Sequence, residues 1–100
     1  MTKIIYALGH PARFSLGQVV ATPGAIEALN ESGQDALQFL QRHITGDWGD
    51  VPAEDAEENE LSLKEGFRLL SAYATAKDVK IWIITEADRS VTTLLLPEEY

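Results

Sequence analysis

The last third of the chain contains three apolar, β-branched runs whose connections are too short for anything but hairpins. The runs cover residues 67–75, 79–85 and 91–96, and residues 76–78 and 86–90 connect them. Parallel neighbours need a crossover of a dozen or more residues, whereas antiparallel neighbours can be joined by a few. The pattern therefore predicts a three-stranded antiparallel meander.

The preceding two thirds carry start and stop signals for three helices. The start and stop residues are Thr22-Pro23 with Gly33, Asp35 with Gly46 or Gly49, and Pro52 with Gly66. A short β-branched stretch, 16–21, comes before them and predicts a strand that can join the sheet. We therefore expect one α+β domain over 1–100, with about three helices followed by the meander. Residues 1–15 are the least determined, because 4–8 fits an edge strand and the whole segment fits a loose terminus.

The predicted central strand, 80–85, alternates only weakly between apolar and polar residues, so both of its faces should be covered. The helices can cover one face of the sheet. A second copy of the chain is the simplest cover for the other, and we therefore expect a homodimer.

The net charge of −8 comes almost entirely from one segment. Seven acidic residues and no basic ones lie within 47–60, while the other nine acidic residues face eight basic ones. Phosphate-binding surfaces need the opposite sign, so broad nucleic-acid binding is disfavoured and RNA is an option only for a confined site. The plain interpretation of the run is a solvated helix face. The functional interpretation is a surface for a basic protein partner, for which Asp50, Glu54, Glu57 and Glu58 are the candidate binding residues.

Other residue types narrow the function further. The chain has no cysteine, which removes disulfides and thiolate metal sites, and its two histidines do not make a transition-metal site. The acidic run lacks calcium-loop spacing. No apolar run approaches the roughly 20 residues that span a bilayer. We expect a cytoplasmic protein with no metal, no cofactor and no membrane association.

A histidine, a carboxylate and an indole are concentrated within 42–50, where a helix should give way to a loop. His43 is a candidate general base, although it follows Phe39 by four residues and therefore also fits a half-buried helix end. Asp47 can orient His43 or cap the turn. Trp48 can anchor a partner or pin the loop to the core.

Arg89 is the second focus, because it lies in the short connection between the last two runs. An arginine at the tip of a turn is usually solvent-exposed, but its fork of donors can also clamp a phosphate. Together with His43, Asp47 and strand hydroxyls such as that of Ser71, it forms the inventory of a metal-free ribonuclease. In that hypothesis His43 activates the ribose hydroxyl, Asp47 orients His43, and Arg89 stabilises the phosphorane. The sequence contains no phosphate-binding glycine motif and no nucleophile elbow.

Several longer segments resemble a group of small bacterial proteins that are carried on plasmids, integrated elements and mobile gene cassettes. The segments are 16–25, 42–49, 71–73, 80–90 and 96–100. The resemblance covers residues 16–100 and implies a bacterial cytoplasmic protein of mobile-element origin. It implies no activity and assigns no catalytic residue.

Two functions remain open. The first is a non-enzymatic accessory or interaction protein that acts through its acidic helix or the Trp48 loop. The second is a small, toxin-like ribonuclease built on His43 and Arg89. Burial of His43 would favour the first, and an open groove joining His43 to Arg89 would favour the second.

Overall fold

The computed structural model describes residues 11–100 and shows an α+β fold with three helices and a four-stranded sheet. The elements, in chain order, are β1 (Gln18–Ala21), α1 (Pro23–Ser32), α2 (Ala36–Ile44), α3 (Ala53–Glu65), β2 (Leu69–Ala74), β3 (Lys80–Thr85) and β4 (Val91–Leu95), followed by a 3-10 turn (Pro97–Glu99). The predicted α+β class is confirmed. The possible edge strand at 4–8 lies outside the described residues.

The sheet has the strand order β1-β4-β3-β2 and is mixed rather than wholly antiparallel. Strands β2, β3 and β4 form the predicted meander, with Ser71 opposite Ile83 and Ile83 opposite Leu94. The predicted strand within 16–21 does join the sheet as β1, but it pairs in parallel with β4, an orientation that the sequence did not predict. The three helices between β1 and the meander supply the long connection that a parallel pair requires.

The predicted helix signals act where the sequence places them. The hydroxyl of Thr22 accepts from the backbone of Ala25 at 3.2 Å, and Asp35 accepts from Leu37 at 3.0 Å. Gly33 and Gly66 end α1 and α3 in the left-handed conformation, which glycine adopts without strain. Only α2 stops earlier than either predicted glycine, at Ile44.

The main core lies between one face of the sheet and helices α1 and α2. Ala25, Ala28 and Leu29 of α1 and Phe39 and Leu40 of α2 are buried there. The strand side chains that meet them are Tyr73, Ile81, Ile83 and Leu94. These residues alternate along their strands, as a half-covered sheet requires.

The opposite face of the sheet also carries buried apolar side chains. Ile84 and Leu95 are each 6% exposed, and Trp82 beside them is half-buried. Part of the cover comes from Tyr100, whose ring meets the indole of Trp82 edge-on at 5.8 Å. Arg68 donates to the Tyr100 hydroxyl at 2.7 Å and holds the chain end across the strands.

Candidate functional site

His43 lies in the last turn of α2 and is completely buried against the sheet. Its Nδ1 is 2.6 Å from the hydroxyl of Ser71 on β2, and its Nε2 is 2.9 Å from that of Thr85 on β3. Thr85 in turn lies 2.8 Å from Thr92 on β4. These four side chains, which we call the His43 network, connect α2 to three strands inside the core.

The direction of every hydrogen bond in the His43 network follows from the one that Thr92 makes at its end. Thr92 donates its one hydroxyl hydrogen to the carbonyl of Leu16 at 2.7 Å, so it must accept from Thr85. Thr85 must then accept from His43, which places the imidazole proton on Nε2. Nδ1 is left as the acceptor for Ser71. The surroundings therefore select one neutral tautomer, which is the state a buried imidazole favours.

The pKa of His43 is lowered from its ordinary 6.5 to about 3, first by burial and then by the charge of Arg89. The rings of Phe14 and Trp48 enclose it, with centroids 5.1 and 5.9 Å away. The predicted strand hydroxyl of Ser71 does bond to His43, as does that of Thr85, but inside the core rather than on an open surface. His43 is thus a structural hydrogen-bonding centre in this fold.

Asp47 does not contact His43. Its carboxylate accepts from Arg42 at 2.7 Å and from the backbone of Gly49 at 3.2 Å, which is the turn-capping interpretation. The hydrogen bond with Arg42 is the main reason that the pKa of Asp47 is lowered. Arg42 also lies over the ring of Tyr73, 4.5 Å from its centroid. The pair belongs to the surface side of the turn.

Trp48 is only 6% exposed, so the indole pins its loop to the core. Its N–H donates to Glu60 of α3 at 3.1 Å, and Glu60 also accepts two hydrogen bonds from Arg13. The backbone of residues 48–50 continues the sheet beside β2. The N–H of Ala72 donates to the carbonyl of Trp48 at 3.1 Å, and the carbonyl of Ala72 accepts from the N–H of Asp50 at 2.7 Å.

Glycine is required at the centre of this bridge. Gly49 pairs with Ala72 and has a φ of 76°, and a Cβ there would lie 2.0 Å from the Ala72 carbonyl oxygen. This close approach, rather than any ligand, explains the glycine. The Trp48 loop closes part of the outer edge of β2.

Arg89 is occupied by backbone carbonyls. Its guanidinium donates to Ser62 and Phe67 at 3.0 and 2.7 Å, and to Glu86 and Ala87 at 3.1 Å each. It therefore ties the end of α3 to the β3–β4 turn. The fork of donors predicted for a phosphate is used within the fold, and the structure does not bring Arg89, Asp47 and His43 together around an open groove.

Helix α3 presents the unpaired carboxylates. Glu54, Glu57 and Glu58, with Asp50 just before the helix, are exposed, and none makes a hydrogen bond or ion pair with another described residue. The helix is attached through Asn59, whose amide both donates to the Leu70 carbonyl (2.7 Å) and accepts from the Leu70 N–H (3.1 Å).

A groove of about 540 Å³ runs between α3 and the start of β2. Three carboxylates form its α3 wall, a buried serine lies within it, and two apolar side chains line the strand side. These residues are Glu54, Asp55, Glu58, Ser62, Phe67 and Leu70. Sequence reasoning included Glu54 and Glu58 but missed Ser62, Phe67 and Leu70. Phe67 was assigned to the strand, although β2 begins only at Leu69.

Comparison with protein-family models, curated proteins and solved structures found no match to the chain. Within residues 11–100, no three histidine or carboxylate side chains are arranged to hold a metal ion. No helix in the same range is long and apolar enough to cross a bilayer.

Proposed function

We propose that this chain is a non-enzymatic, cytoplasmic interaction protein of a bacterial mobile genetic element that binds a basic protein partner through α3. The observation that carries the proposal is the unpaired acidic surface of α3. Ordinary exposed carboxylates need no partner, but here several of one sign are presented together on a helix that Asn59 fastens to β2. Such a field attracts cationic surfaces and raises their rate of association.

The alternative, a metal-free ribonuclease, has less support. A general base must reach the proton that it removes, and both nitrogens of His43 are already bonded inside the core. Arg89 spends its donors on carbonyls of the fold. The resemblance of residues 16–100 to mobile-element proteins supports the proposed biological setting and favours neither activity.

A homodimer remains part of the proposal. It is supported by the exposed apolar side chains at the margins of the sheet, where Val20 is 39% exposed and Tyr100 is 67% exposed beside Trp82. Sedimentation equilibrium of the purified chain tests it, and a strictly monomeric protein at high concentration would remove this part alone.

The test of the main proposal is charge reversal on α3. A partner is first identified by crosslinking in a bacterial host, and its binding is then measured with both proteins purified. Glu54→Lys, Glu57→Lys and Glu58→Lys together should abolish binding, because they replace the attractive field with a repulsive one. The matched control reverses Glu27, Glu31 and Glu98, which are exposed on other elements, and should retain it. Equal binding by both variants would refute the role of α3.

The ribonuclease alternative is tested in the same host. Total RNA should stay intact during expression of the wild-type chain. Fragmentation that disappears in a folded His43→Gln variant would instead support the ribonuclease and overturn the proposal.

A further inference from the structure

The groove beside α3 differs in kind from the rest of the acidic surface. Its volume of about 540 Å³ lies within the range of sites that take small ligands or side chains. One wall carries Glu54, Asp55 and Glu58, whereas the strand side offers Phe67 and Leu70. Phe67 is 53% exposed, which is unusual for an aromatic side chain next to a sheet. The groove therefore combines charge with an apolar surface.

Ser62 points to a polar occupant. The residue is 3% exposed and lines the groove, yet its hydroxyl makes no hydrogen bond to another described residue. Every fully enclosed side-chain polar atom in residues 11–100 has a hydrogen-bond partner. The Ser62 hydroxyl has none among these residues, so it is not fully enclosed and is open to the groove that Ser62 lines. The amide of Asn59 beside it binds the backbone of Leu70 through both its nitrogen and its oxygen. A ligand that enters the groove can therefore form a hydrogen bond with the Ser62 hydroxyl.

The electrostatics specify a cation. The groove carboxylates of α3 have no hydrogen-bonding or ionic partner among residues 11–100. Arg68 also lines the groove, but its guanidinium is directed to Tyr100, donating to the hydroxyl and lying 5.6 Å from the ring centroid. Arg68 therefore forms no ion pair with Glu54, Asp55 or Glu58.

We propose that the groove receives an arginine side chain of the basic partner, flanked by apolar residues. The inference rests on the proposed function and names its recognition site. A planar guanidinium stacks on the ring of Phe67 while its several donors reach the carboxylates of Glu54 and Glu58 and the hydroxyl of Ser62. Lysine offers a compact charge without the stacking plane. The volume left over accommodates the apolar neighbours against Leu70.

The experiment uses the full chain and a fluorescent peptide with one arginine between two leucines, read by anisotropy. The companion peptide carries citrulline, which keeps the shape and removes the charge. The arginine peptide should bind at least about tenfold more tightly than the citrulline peptide, the ratio expected for one charge-assisted contact. Glu54→Gln with Glu58→Gln should weaken arginine binding to a similar extent.

Two further variants locate the site. Glu27→Gln with Glu31→Gln makes the same change in net charge on α1, outside the groove, and should stay within about twofold of wild type. Phe67→Ala, checked for folding by circular dichroism, should weaken binding several-fold through the lost stacking. Equal losses in the two charge variants, or no loss in Phe67→Ala, would overturn the groove as the site.

A wild-type chain that does not distinguish arginine from citrulline would also overturn the inference. The proposed function fails separately, when the purified partner binds equally well to the charge-reversed α3 variant. The two failures are therefore distinguishable.

Discussion

Helices α2 and α3 are attached to the same sheet by different means. Helix α2 buries Phe39, Leu40 and His43 against its face, so its one ionisable side chain in the core is enclosed and neutral. Helix α3 buries only polar residues, Asn59 and Ser62, and is held at the sheet edge by side-chain and backbone hydrogen bonds. The histidine therefore belongs to the architecture, whereas Glu54, Glu57 and Glu58 of α3 stay exposed.

The largest effect should come from removing the polar centre under α2. His43→Ala leaves a cavity and deprives Ser71 and Thr85 of their buried partner, so we expect a loss of about 3–5 kcal/mol in unfolding free energy. Urea denaturation measures it. His43→Gln, which can keep part of the bonding, should lose less. A His43→Ala protein whose unfolding free energy lies within about 1 kcal/mol of wild type would show that His43 does not anchor α2 to the sheet.

Acid should weaken the attachment of α2 through the same residue. Because the pKa of His43 is about 3 in the folded chain and near 6.5 when unfolded, only the unfolded chain takes up this proton between those values. His43 should therefore lower stability by up to about 1.4 kcal/mol for each pH unit below about 6.5, levelling off near pH 3.

Comparison with His43→Gln isolates this contribution, since Asp47 and Glu60 also have lowered pKa values and lose stabilising interactions in acid. The difference in stability between the two proteins, measured from pH 7 to pH 4, should shrink or reverse as the pH falls. Parallel pH curves for the two would show that His43 is not buried in the neutral form.

The attachment of α3 should be weaker and more local. Asn59→Ala removes both hydrogen bonds to the backbone of Leu70, which we expect to cost about 1–3 kcal/mol. Hydrogen exchange should speed up in α3 and at Leu70 before it does in β3 and β4. Uniform loss of protection across the sheet would mean that α3 is as integral to the core as α2.

The smallest effect should come from the exposed side of α3. Glu57→Lys with Glu58→Lys should change the melting behaviour by no more than the equivalent of about 0.5 kcal/mol, because neither side chain has a partner among the described residues. Thermal denaturation at moderate salt measures it. A large loss of stability, or of soluble protein, would show that the acidic side is structural.

The elements were predictable because their signals are local. Thr22, Asp35 and Gly66 act on backbone groups within a few residues, and short connections admit only antiparallel neighbours. The parallel pairing of β1 with β4 was not predictable, since it depends on where three helices return the chain. The start of β2 was placed too early because Phe67 is apolar but completes the end of α3 through its N–H.

The candidate site, too, was predictable from the sequence only in part. The acidity of α3 is visible in the sequence as a run of one charge, but the groove is not, because Ser62 and Phe67 carry no periodic signal that links them to Glu54. The partners of His43 were visible only as scattered hydroxyls on separate runs. That Ser71 and Thr85 converge on one imidazole, with Thr92 bonded to Thr85, depends on strand register.

The order of residues along the chain predicts which segments are helices and strands, the α+β class and the concentration of negative charge, because each of these follows from near neighbours in the sequence. The hydrogen bonding of His43 and Arg89 within the fold, and the acidic groove beside α3, are visible in the folded structure alone. Burial and hydrogen-bond partners come from contacts between distant residues, and those contacts decide which side chains remain available for function.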